Sequence, residues 1–228
     1  MDEVAIDRSI LTSMLGDGIV VDIAAPMLVA SGLFPDELEY VARAVDQRKA
    51  EFGTVRLCAR RALRQIGVAP CSLLPNPDRS PRWPKGVTGS ITHTTGCCAV
   101  AVTNAPHVIG IGIDIEQDTP LRLDLESMIC TATERAWLDR AEQRERGFFG
   151  KLYFSAKEAF YKCQYSTTRR FLDFGDVEIE FDIERQSFRI TMLTHQGPIW
   201  DILRSTEGQF RRVAGFIITT AVLSSRSS

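Results

Sequence analysis

The stretch GIGIDIE, residues 110 to 116, is the most informative pattern in this 228-residue sequence. Side chains alternate across a β-strand, so its isoleucines share one face while its glycines and carboxylates share the other. The isoleucine face predicts a buried side. Glycine inside a strand loses packing and chain entropy unless another group must approach the backbone closely. The stretch therefore predicts a strand with one buried face and a second face on which another group packs closely against the backbone.

The composition excludes several classes of protein. A hydrophobic content of 44% over this length can form a sizeable core, as one large domain or two small ones. A net charge of -2 does not favour binding to nucleic acid or to a membrane surface. The N-terminal sequence lacks the basic region and apolar run of a secretory signal, and the apolar run from Gly215 to Leu223 is too short to span a bilayer. We expect a cytoplasmic monomer.

The cysteines and histidines do not form a metal-binding pattern. The six cysteines include no C-x-x-C pair, and the adjacent Cys97 and Cys98 suit neither zinc nor an ordinary disulfide, so buried free thiols are predicted. His93, His107 and His195 are scattered along the chain. Any bound metal is therefore expected to have oxygen ligands.

Residues 36 to 67 show helical spacing of apolar residues, which predicts one long helix or two helices joined near Gly53. The other side of this segment is basic, with Arg48, Lys49, Arg56, Arg60, Arg61 and Arg64. A cationic face on a helix is ordinarily solvated. Here a role in binding an anion remains a second interpretation.

The rest of the chain mixes helices and strands without a regular βαβ order, which predicts an α+β fold. The predicted elements are a surface loop at 68 to 89, a buried strand at 97 to 102, a helix at 133 to 141, a flexible charged stretch at 140 to 146, a second helix at 155 to 165, strands at 177 to 181, 188 to 193 and 213 to 223, and a frayed end at 224 to 228.

The second helix has a local explanation for its polar residues. Ser155 and Glu158 have the spacing of a capping box, and Glu158 and Lys162 have that of an i,i+4 ion pair. Asp114 and Glu116 could likewise simply end a strand at the surface. Each structural interpretation is reasonable alone, but a single site would explain all of these residues together.

Three motifs in one order indicate such a site. Ser-x-Thr-His at 90 to 93, Gly-x-Asp-x-Glu at 112 to 116 and Phe-Ser-x-Lys-Glu-Ala-x-x-Lys at 154 to 162 resemble the surfactin-type phosphopantetheinyl transferases. The arginine-rich helix and the Trp-Pro-x-Gly element at 83 to 86 are similar to their enterobactin synthetase component D subgroup. The resemblance extends from about residue 43 to residue 180.

The resemblance implies a fold and a reaction. The fold would be a pseudo-dimer of two similar α/β halves, 1–112 and 113–228, with the active site in the cleft between them. The reaction would move the 4'-phosphopantetheine arm of coenzyme A to a serine of an acyl, peptidyl or aryl carrier domain, releasing adenosine 3',5'-bisphosphate. Such carriers serve fatty-acid, polyketide, siderophore or nonribosomal peptide synthesis.

The resemblance also assigns roles to residues. Asp114, Glu116 and Glu158 would hold Mg²⁺, or Mn²⁺, on the pyrophosphate. Glu158 or a metal-bound water would take the serine proton, and Lys162 would balance charge on the leaving phosphate. The residues implied in coenzyme A binding are polar or cationic: Arg48, Arg56, Ser90, Thr92, His93, Lys157 and Lys162. Arg48 and Arg56 are expected on the 3'-phosphate, since guanidinium groups suit a dianion.

Repulsion between Asp114 and Glu116 would be relieved by a bound cation. Residues two apart on one strand face have Cα atoms about 6.6 Å apart, and two unit charges at that separation repel by roughly 2.5 kcal/mol at an effective dielectric of 20. A divalent cation reverses the sign of this interaction. On this interpretation Gly110 and Gly112 make room for the pyrophosphate.

The sequence departs from the family pattern at one place, and two other functions would use similar residues. The family's Gly-x-Pro before the Trp-Pro element is missing, which leaves Arg79 or Arg82 to supply the charge near the nucleotide. A magnesium-dependent nuclease or nucleotide phosphotransferase would use similar residue types, although the acidic composition disfavours it. A non-catalytic carrier-binding protein is the other alternative. Arg169, Arg170 and Phe171 are candidates for contact with an acidic carrier by position.

Overall fold

The computed structural model describes residues 6–29, 31–194, 197, 200, 203 and 206–225. His195 and the last three residues, 226–228, lie outside the described residues. The chain divides into two compact units, residues 1–108 and 109–228. Helices accompany one antiparallel sheet of three strands and one sheet of five strands in the described part, which confirms the predicted α+β class.

The first unit packs helices on a three-stranded sheet. Its elements are α1 (Arg8–Leu15), β1 (Val20–Ala24), α2 (Pro35–Val41), α3 (Asp46–Gln65), β2 (Thr88–Thr94) and β3 (Cys97–Thr103), and the strand order is β1-β3-β2. All residues of β3 are buried, as predicted. One side of α3, including Val55 and Leu63, packs on Val100 and Val102 of this strand, so α3 lies along the sheet.

The predicted helical segment at 36 to 67 is two helices, but they do not join near Gly53. Val45 has an extended backbone, φ −66° and ψ 156°, which separates α2 from α3. Gly53 lies inside α3, where an added Cβ would be 3.0 Å from Val29 Cγ2. That glycine therefore permits close packing and does not break the helix.

The second unit packs α6 on a five-stranded sheet. Its elements are β4 (Val108–Gln117), α4 (Leu123–Ile129), α5 (Ala132–Leu138), α6 (Gln143–Thr168), β5 (Val177–Asp182), β6 (Ser187–Met192), β7 (Glu207–Val213) and β8 (Phe216–Ser224). The strand order is β4-β8-β7-β6-β5. Leu152 and Phe160 of α6 share a hydrophobic core with Ile217 and Ala221 of β8.

Two predictions for this unit need correction. Helix α6 begins at Gln143, so residues 143 to 146 of the charged stretch that was predicted to be flexible are helical. Arg146 within it donates to Glu126 and Asp139, each at 2.7 Å, and these pairs hold the first turn. The strand predicted at 213 to 223 corresponds to β8 but begins later, at Phe216, because Ala214 and Gly215 make a turn with positive φ that separates it from β7. Strands β1 and β7 were not predicted as separate elements.

The loop before β2 and the cysteines agree with the predictions made for them, apart from one buried residue and one half-buried cysteine. The segment before β2 is largely loop, as predicted, although Leu73 within it is buried. All six cysteines are free, and all except Cys71 are buried. No helix in the described part of the chain is long and apolar enough to cross a membrane.

Candidate functional site

The glycine face of β4 lies against helix α6. A Cβ added to Gly112 would overlap the carbonyl group of Ala159, and one added to Gly110 would be 2.5 Å from the carbonyl oxygen of Cys163. Both contacts are with helix backbone, which cannot move aside as a flexible side chain can. The prediction that these glycines make room for pyrophosphate was therefore wrong: the group that approaches them is α6.

This close packing directs Asp114, on the same face of β4, towards α6. Asp114 is buried. Its Oδ1 accepts a hydrogen bond from Lys162 Nζ at 2.7 Å, and its Oδ2 accepts one from Ser155 Oγ at 2.8 Å. Lys162 also donates to the carbonyl oxygen of Ile113 at 3.2 Å. The carboxylate is therefore held on both oxygens by one helix.

These contacts overturn the local explanation of the second helix. Ser155 cannot cap α6, because that helix begins at Gln143. The predicted Glu158–Lys162 ion pair is also absent among the described residues, since Lys162 pairs with Asp114 instead. Ser155 and Lys162 lie at helical spacing on α6, but their shared partner, Asp114, lies on β4.

Glu116 lies two residues further along β4 and has a lysine partner of its own. Lys151 Nζ lies 3.4 Å from Glu116 Oε2. Burial raises the pKa of Glu116, and the nearby charge of Asp114 raises this pKa further. Sequence analysis missed Lys151, although it precedes Ser155, Glu158 and Lys162 on the same side of α6. The predicted helix began at 155, so this residue fell outside it.

Glu158 differs from Asp114 and Glu116 in its contacts. Its side chain is half-buried, and no hydrogen bond or ion pair joins it to another residue in the described part of the chain. Burial is the main cause that raises its pKa, opposed by Lys162 and assisted by Asp114 and Glu116. Glu158 therefore shares an electrostatic environment with those residues and is biased towards accepting a proton.

The carboxylates of Asp114, Glu116 and Glu158 are suitable ligands for a hard cation, but they do not form a preformed metal site. Carboxylate oxygens are the ligands that Mg²⁺ prefers, and Mg²⁺ ordinarily keeps several waters instead of taking an all-protein site. Among the residues described, no three His, Cys, Asp or Glu side chains come together as a ready-made metal site. Asp114 and Glu116 each contact a lysine, whereas Glu158 does not. The chemistry of the three residues nevertheless fits the ion.

Lys157 has a different environment from its neighbour Glu158. It is buried, and its Nζ donates to Glu134 Oε2 at 2.7 Å and to the carbonyl oxygens of Ile129 and Phe174 at 2.9 and 2.8 Å. An ammonium group has three protons, and all three are used. The ammonium group of Lys157 is therefore taken up by protein partners and joins α6 to the ends of neighbouring elements, and the role of Lys157 in coenzyme A binding stays a prediction.

A cavity of about 190 Å³ lies beside Glu158 in the second unit. Its walls include Tyr161, Phe171 and Phe174. Tyr161 meets Phe171 edge to face with ring centroids 5.9 Å apart, and Phe171 is 70% exposed. The preceding Arg169 is also exposed. The cavity thus combines an aromatic wall with a carboxylate that has no hydrogen-bond or ion-pair partner among the described residues.

In the first unit, α3 and β2 bring Arg48 and His93 together. Arg48 Nη1 lies 3.1 Å from His93 Nε2. His93 Nδ1 lies 3.5 Å from Glu51 Oε2, and Arg48 lies 3.9 Å from the same oxygen. Arg48 and His93 were both predicted as site residues, whereas Glu51 was not. Its position three residues after Arg48, one helical turn away, is the signal that could have identified it.

The other predicted residues of this unit are more buried than Arg48 and His93. Ser90 and Thr92 are buried and, by strand alternation, lie on the face of β2 opposite to His93. Arg56 is buried with its Nε donating to the carbonyl oxygen of Leu73 at 2.8 Å, and burial lowers its pKa to about 10. Its guanidinium lies 3.8 Å from the ring centroid of Phe52.

The basic side of α3 is therefore not an ordinary solvated face. Arg60 forms a buried ion pair with Glu37 at 2.8 Å, and Arg61 pairs with Asp22 of β1 at 2.5 Å. Arg79 and Arg82, proposed to replace the missing family residue, are both exposed in the loop before β2. Arg48, with 47% of its side chain exposed, is the more accessible of the two arginines predicted to bind phosphate.

Comparison with known proteins matches both units. Residues 36–103 match the model of the 4'-phosphopantetheinyl transferase N-terminal domain, and residues 110–221 match that of the 4'-phosphopantetheinyl transferase superfamily. The chain is 39% identical over 198 residues to the 4'-phosphopantetheinyl transferase Svp of Streptomyces mobaraensis, covering 86% of this chain and 80% of that protein. It is 34% identical over 197 residues to the 4'-phosphopantetheinyl transferase PptT of Mycobacterium tuberculosis, covering 83% and 85%. A shorter match joins it to enterobactin synthase component D of Salmonella typhi, with 36% identity over 119 residues and coverage of 51% and 48%.

Proposed function

Because the chain belongs to the 4'-phosphopantetheinyl transferase family, we propose that it transfers 4'-phosphopantetheine from coenzyme A to a serine hydroxyl of an apo carrier protein. Adenosine 3',5'-bisphosphate is the second product. The observation that carries the proposal is the grouping of Asp114 and Lys162 in contact, with the half-buried Glu158 in the same electrostatic environment.

The transfer requires one bond exchange and the removal of one proton. The serine oxygen bonds to the phosphorus that carries pantetheine, and the bond from that phosphorus to the bridging oxygen breaks. The bridging oxygen leaves with the nucleotide. Glu158 takes the serine proton in this proposal. Its raised pKa and its lack of a partner among the described residues support that role, since a base is most effective when its pKa is near the working pH.

Asp114, Glu116 and Glu158 would hold Mg²⁺, and Mn²⁺ would be a substitute. The bound ion would neutralise charge on the pyrophosphate. Lys162 already lies against Asp114 and would balance the charge that develops on the leaving phosphate. Lys151, which contacts Glu116, joins this set as a second cation.

The first unit would recognise the phosphates of coenzyme A. Arg48 and His93 are in contact and exposed, which suits an anionic ligand, and Glu51 orients His93 from its other ring nitrogen. Arg56 contributes less in this proposal because it is buried and bound to Leu73. The division of roles between halves 1–112 and 113–228 remains part of the proposal.

The carrier and the pantetheine arm would meet the second unit near the cavity beside Glu158. An uncharged arm suits the aromatic wall formed by Tyr161, Phe171 and Phe174. Arg169 and Arg170 are exposed next to it and would suit an acidic carrier surface. Enterobactin synthase component D among the relatives supports carriers of siderophore and other secondary metabolism as partners. Neither the nuclease nor the non-catalytic alternative gains support from the comparisons.

The test is a mass measurement. The full chain is incubated with coenzyme A, Mg²⁺ and a panel of apo carrier proteins, each accompanied by a carrier in which the acceptor serine is replaced by alanine. We expect a mass gain of one phosphopantetheine on at least one carrier and on none of the alanine forms. The absence of a gain on every carrier would contradict the proposal.

A further inference from the structure

Ser155 connects three elements of the second unit through hydroxyl groups. Ser155 Oγ donates to Asp114 Oδ2 at 2.8 Å. The same oxygen lies 2.8 Å from Thr219 Oγ1 of β8, and Thr219 Oγ1 donates to the carbonyl oxygen of Ser155 at 2.9 Å. Ser155 and Thr219 both have 0% of their surface exposed. A chain of contacts therefore runs from β8 through α6 to β4.

We propose that Ser155 and Thr219 are positioning residues that fix the carboxylate of Asp114 for metal binding, an inference that rests on the proposed function. An ionised carboxylate only accepts hydrogen bonds, so Ser155 donates its proton to Asp114, and the single hydroxyl proton of Thr219 is shared between the carbonyl oxygen and Oγ of Ser155. Thr219 holds the Ser155 hydroxyl in one rotamer, and that hydroxyl fixes one oxygen of Asp114. Lys162 holds the other oxygen.

In this proposal the two hydroxyl groups have a role beyond packing. Ser155→Ala removes the hydrogen bond on Asp114 Oδ2, and Thr219→Val removes the contact that holds the Ser155 hydroxyl, while both changes keep the side chain nearly the same size. Hydrogen-bond partners that orient a metal ligand typically change metal affinity by about 10- to 100-fold when they are removed. Neither residue was predicted to act in this way, because Ser155 had the spacing of a cap and Thr219 belongs to no motif.

The test compares metal binding in four variants of the full chain. Mn²⁺ binding is followed by electron paramagnetic resonance, beside thermal melting and the rate of carrier modification. We expect Ser155→Ala to weaken Mn²⁺ binding about 10- to 100-fold and Thr219→Val to weaken it less. Thr219→Ser keeps the hydroxyl and should recover most of the affinity lost in Thr219→Val. The double variant should bind no more weakly than Ser155→Ala, since Thr219 acts through Ser155.

Two results would overturn the inference. One is Mn²⁺ binding of wild-type strength in Ser155→Ala or in Thr219→Val, with only the melting temperature lowered, since the hydroxyls would then serve packing alone. The other is a loss in the double variant equal to the product of the two single losses. If Ser155→Ala does not fold, the comparison of Mn²⁺ binding between Thr219→Val and Thr219→Ser tests the inference. A wild-type protein that binds Mn²⁺ but modifies no carrier would contradict the proposed function and leave this inference standing.

Discussion

Gly112 of β4 and Ala159 of α6 are in backbone contact, so close that a Cβ on the glycine would overlap the alanine carbonyl. The sequence pattern of small residues followed by carboxylates thus serves to seat a helix on a strand. The helix then reaches Asp114 with Ser155 and Lys162. The contacts of Asp114 with Ser155 and Lys162 therefore depend on the close packing of the α6 backbone against the β4 backbone.

Gly112→Ala should therefore be strongly destabilising. Overpacking usually costs about 1 to 3 kcal/mol, and we expect at least the upper value because the obstacle is backbone. Gly175→Ala is the matched control, since an added Cβ there meets nothing within 4 Å. Urea unfolding of both variants measures the difference. Similar free energies of unfolding would show that α6 can move away from β4.

Glu158→Gln tests the proposed base. Glutamine keeps the shape but cannot take a proton and is a poorer Mg²⁺ ligand, so we expect at least about a hundredfold loss in turnover. Stability should be unchanged or higher, because the substitution removes a half-buried carboxylate near Asp114 and Glu116. Carrier modification rates and thermal melting provide the measurement.

Glu145→Gln is the control for this prediction. It makes the same chemical change in the same helix, at a surface position where Glu145 pairs with Arg212 at 3.1 Å. We expect wild-type turnover in this variant. Equal turnover in the Glu158 and Glu145 variants would return Glu158 to a structural role. Ser155→Ala cannot serve as a control, since Ser155 contacts Asp114.

Arg48→Ala should weaken coenzyme A binding without loss of stability. A charge-assisted hydrogen bond to the 3'-phosphate contributes about 1.5 to 3 kcal/mol, so the effect should largely disappear with dephospho-coenzyme A. Arg56→Ala should also lower the melting temperature, because Arg56 is buried against Phe52 and bonded to Leu73. Calorimetric titration with both nucleotides is the measurement. Equal losses on both would show that Arg48 does not bind that phosphate.

Lys157→Met should destabilise the second unit. The substitution leaves Glu134 as a buried carboxylate without its ammonium partner, and breaking a buried pair in this way costs about 3 to 5 kcal/mol. Lys49→Met is the comparison, since Lys49 pairs with Asp46 at the surface at 3.7 Å and such pairs contribute about 1 kcal/mol or less. Chemical denaturation should separate the two variants clearly. A small loss for Lys157→Met would mean that water or another group can reach Glu134.

Stability should fall at alkaline pH because of the buried thiols. Burial raises the pKa of Cys163 to about 12, while an unfolded thiol ionises near about 8.5. The unfolded state then loses its proton first, so stability is constant below about pH 8.5 and decreases as pH rises towards 12. Cys163→Ala should melt lower at pH 7 but show a shallower decline between about pH 9 and 11. Parallel curves for the two proteins would contradict this assignment.

Several features of the protein follow from local sequence alone. The alternation in GIGIDIE predicted a strand with a buried isoleucine face, and Ile111, Ile113 and Ile115 are fully buried. The small apolar run that begins at Cys97 was correctly predicted as a buried strand. The order of three motifs indicated the family, which the comparisons confirmed. Such signals depend on residue type and spacing within one segment, and these are fully present in the sequence.

The partner of each polar residue, in contrast, was decided by tertiary structure. Lys157 and Glu158 are adjacent in one motif, but successive residues of a helix differ by about 100° in direction. The ammonium of Lys157 is buried in an ion pair with Glu134, whereas Glu158 is half-buried and has no ion pair among the described residues. Ser155 had the spacing of a cap and became a partner of Asp114, because α6 starts earlier and packs on β4. The sequence by itself determined which groups are available for the chemistry, and only the packing of α6 against β4 determined which of them meet, because a hydrogen bond requires contact between segments that spacing along one chain does not specify.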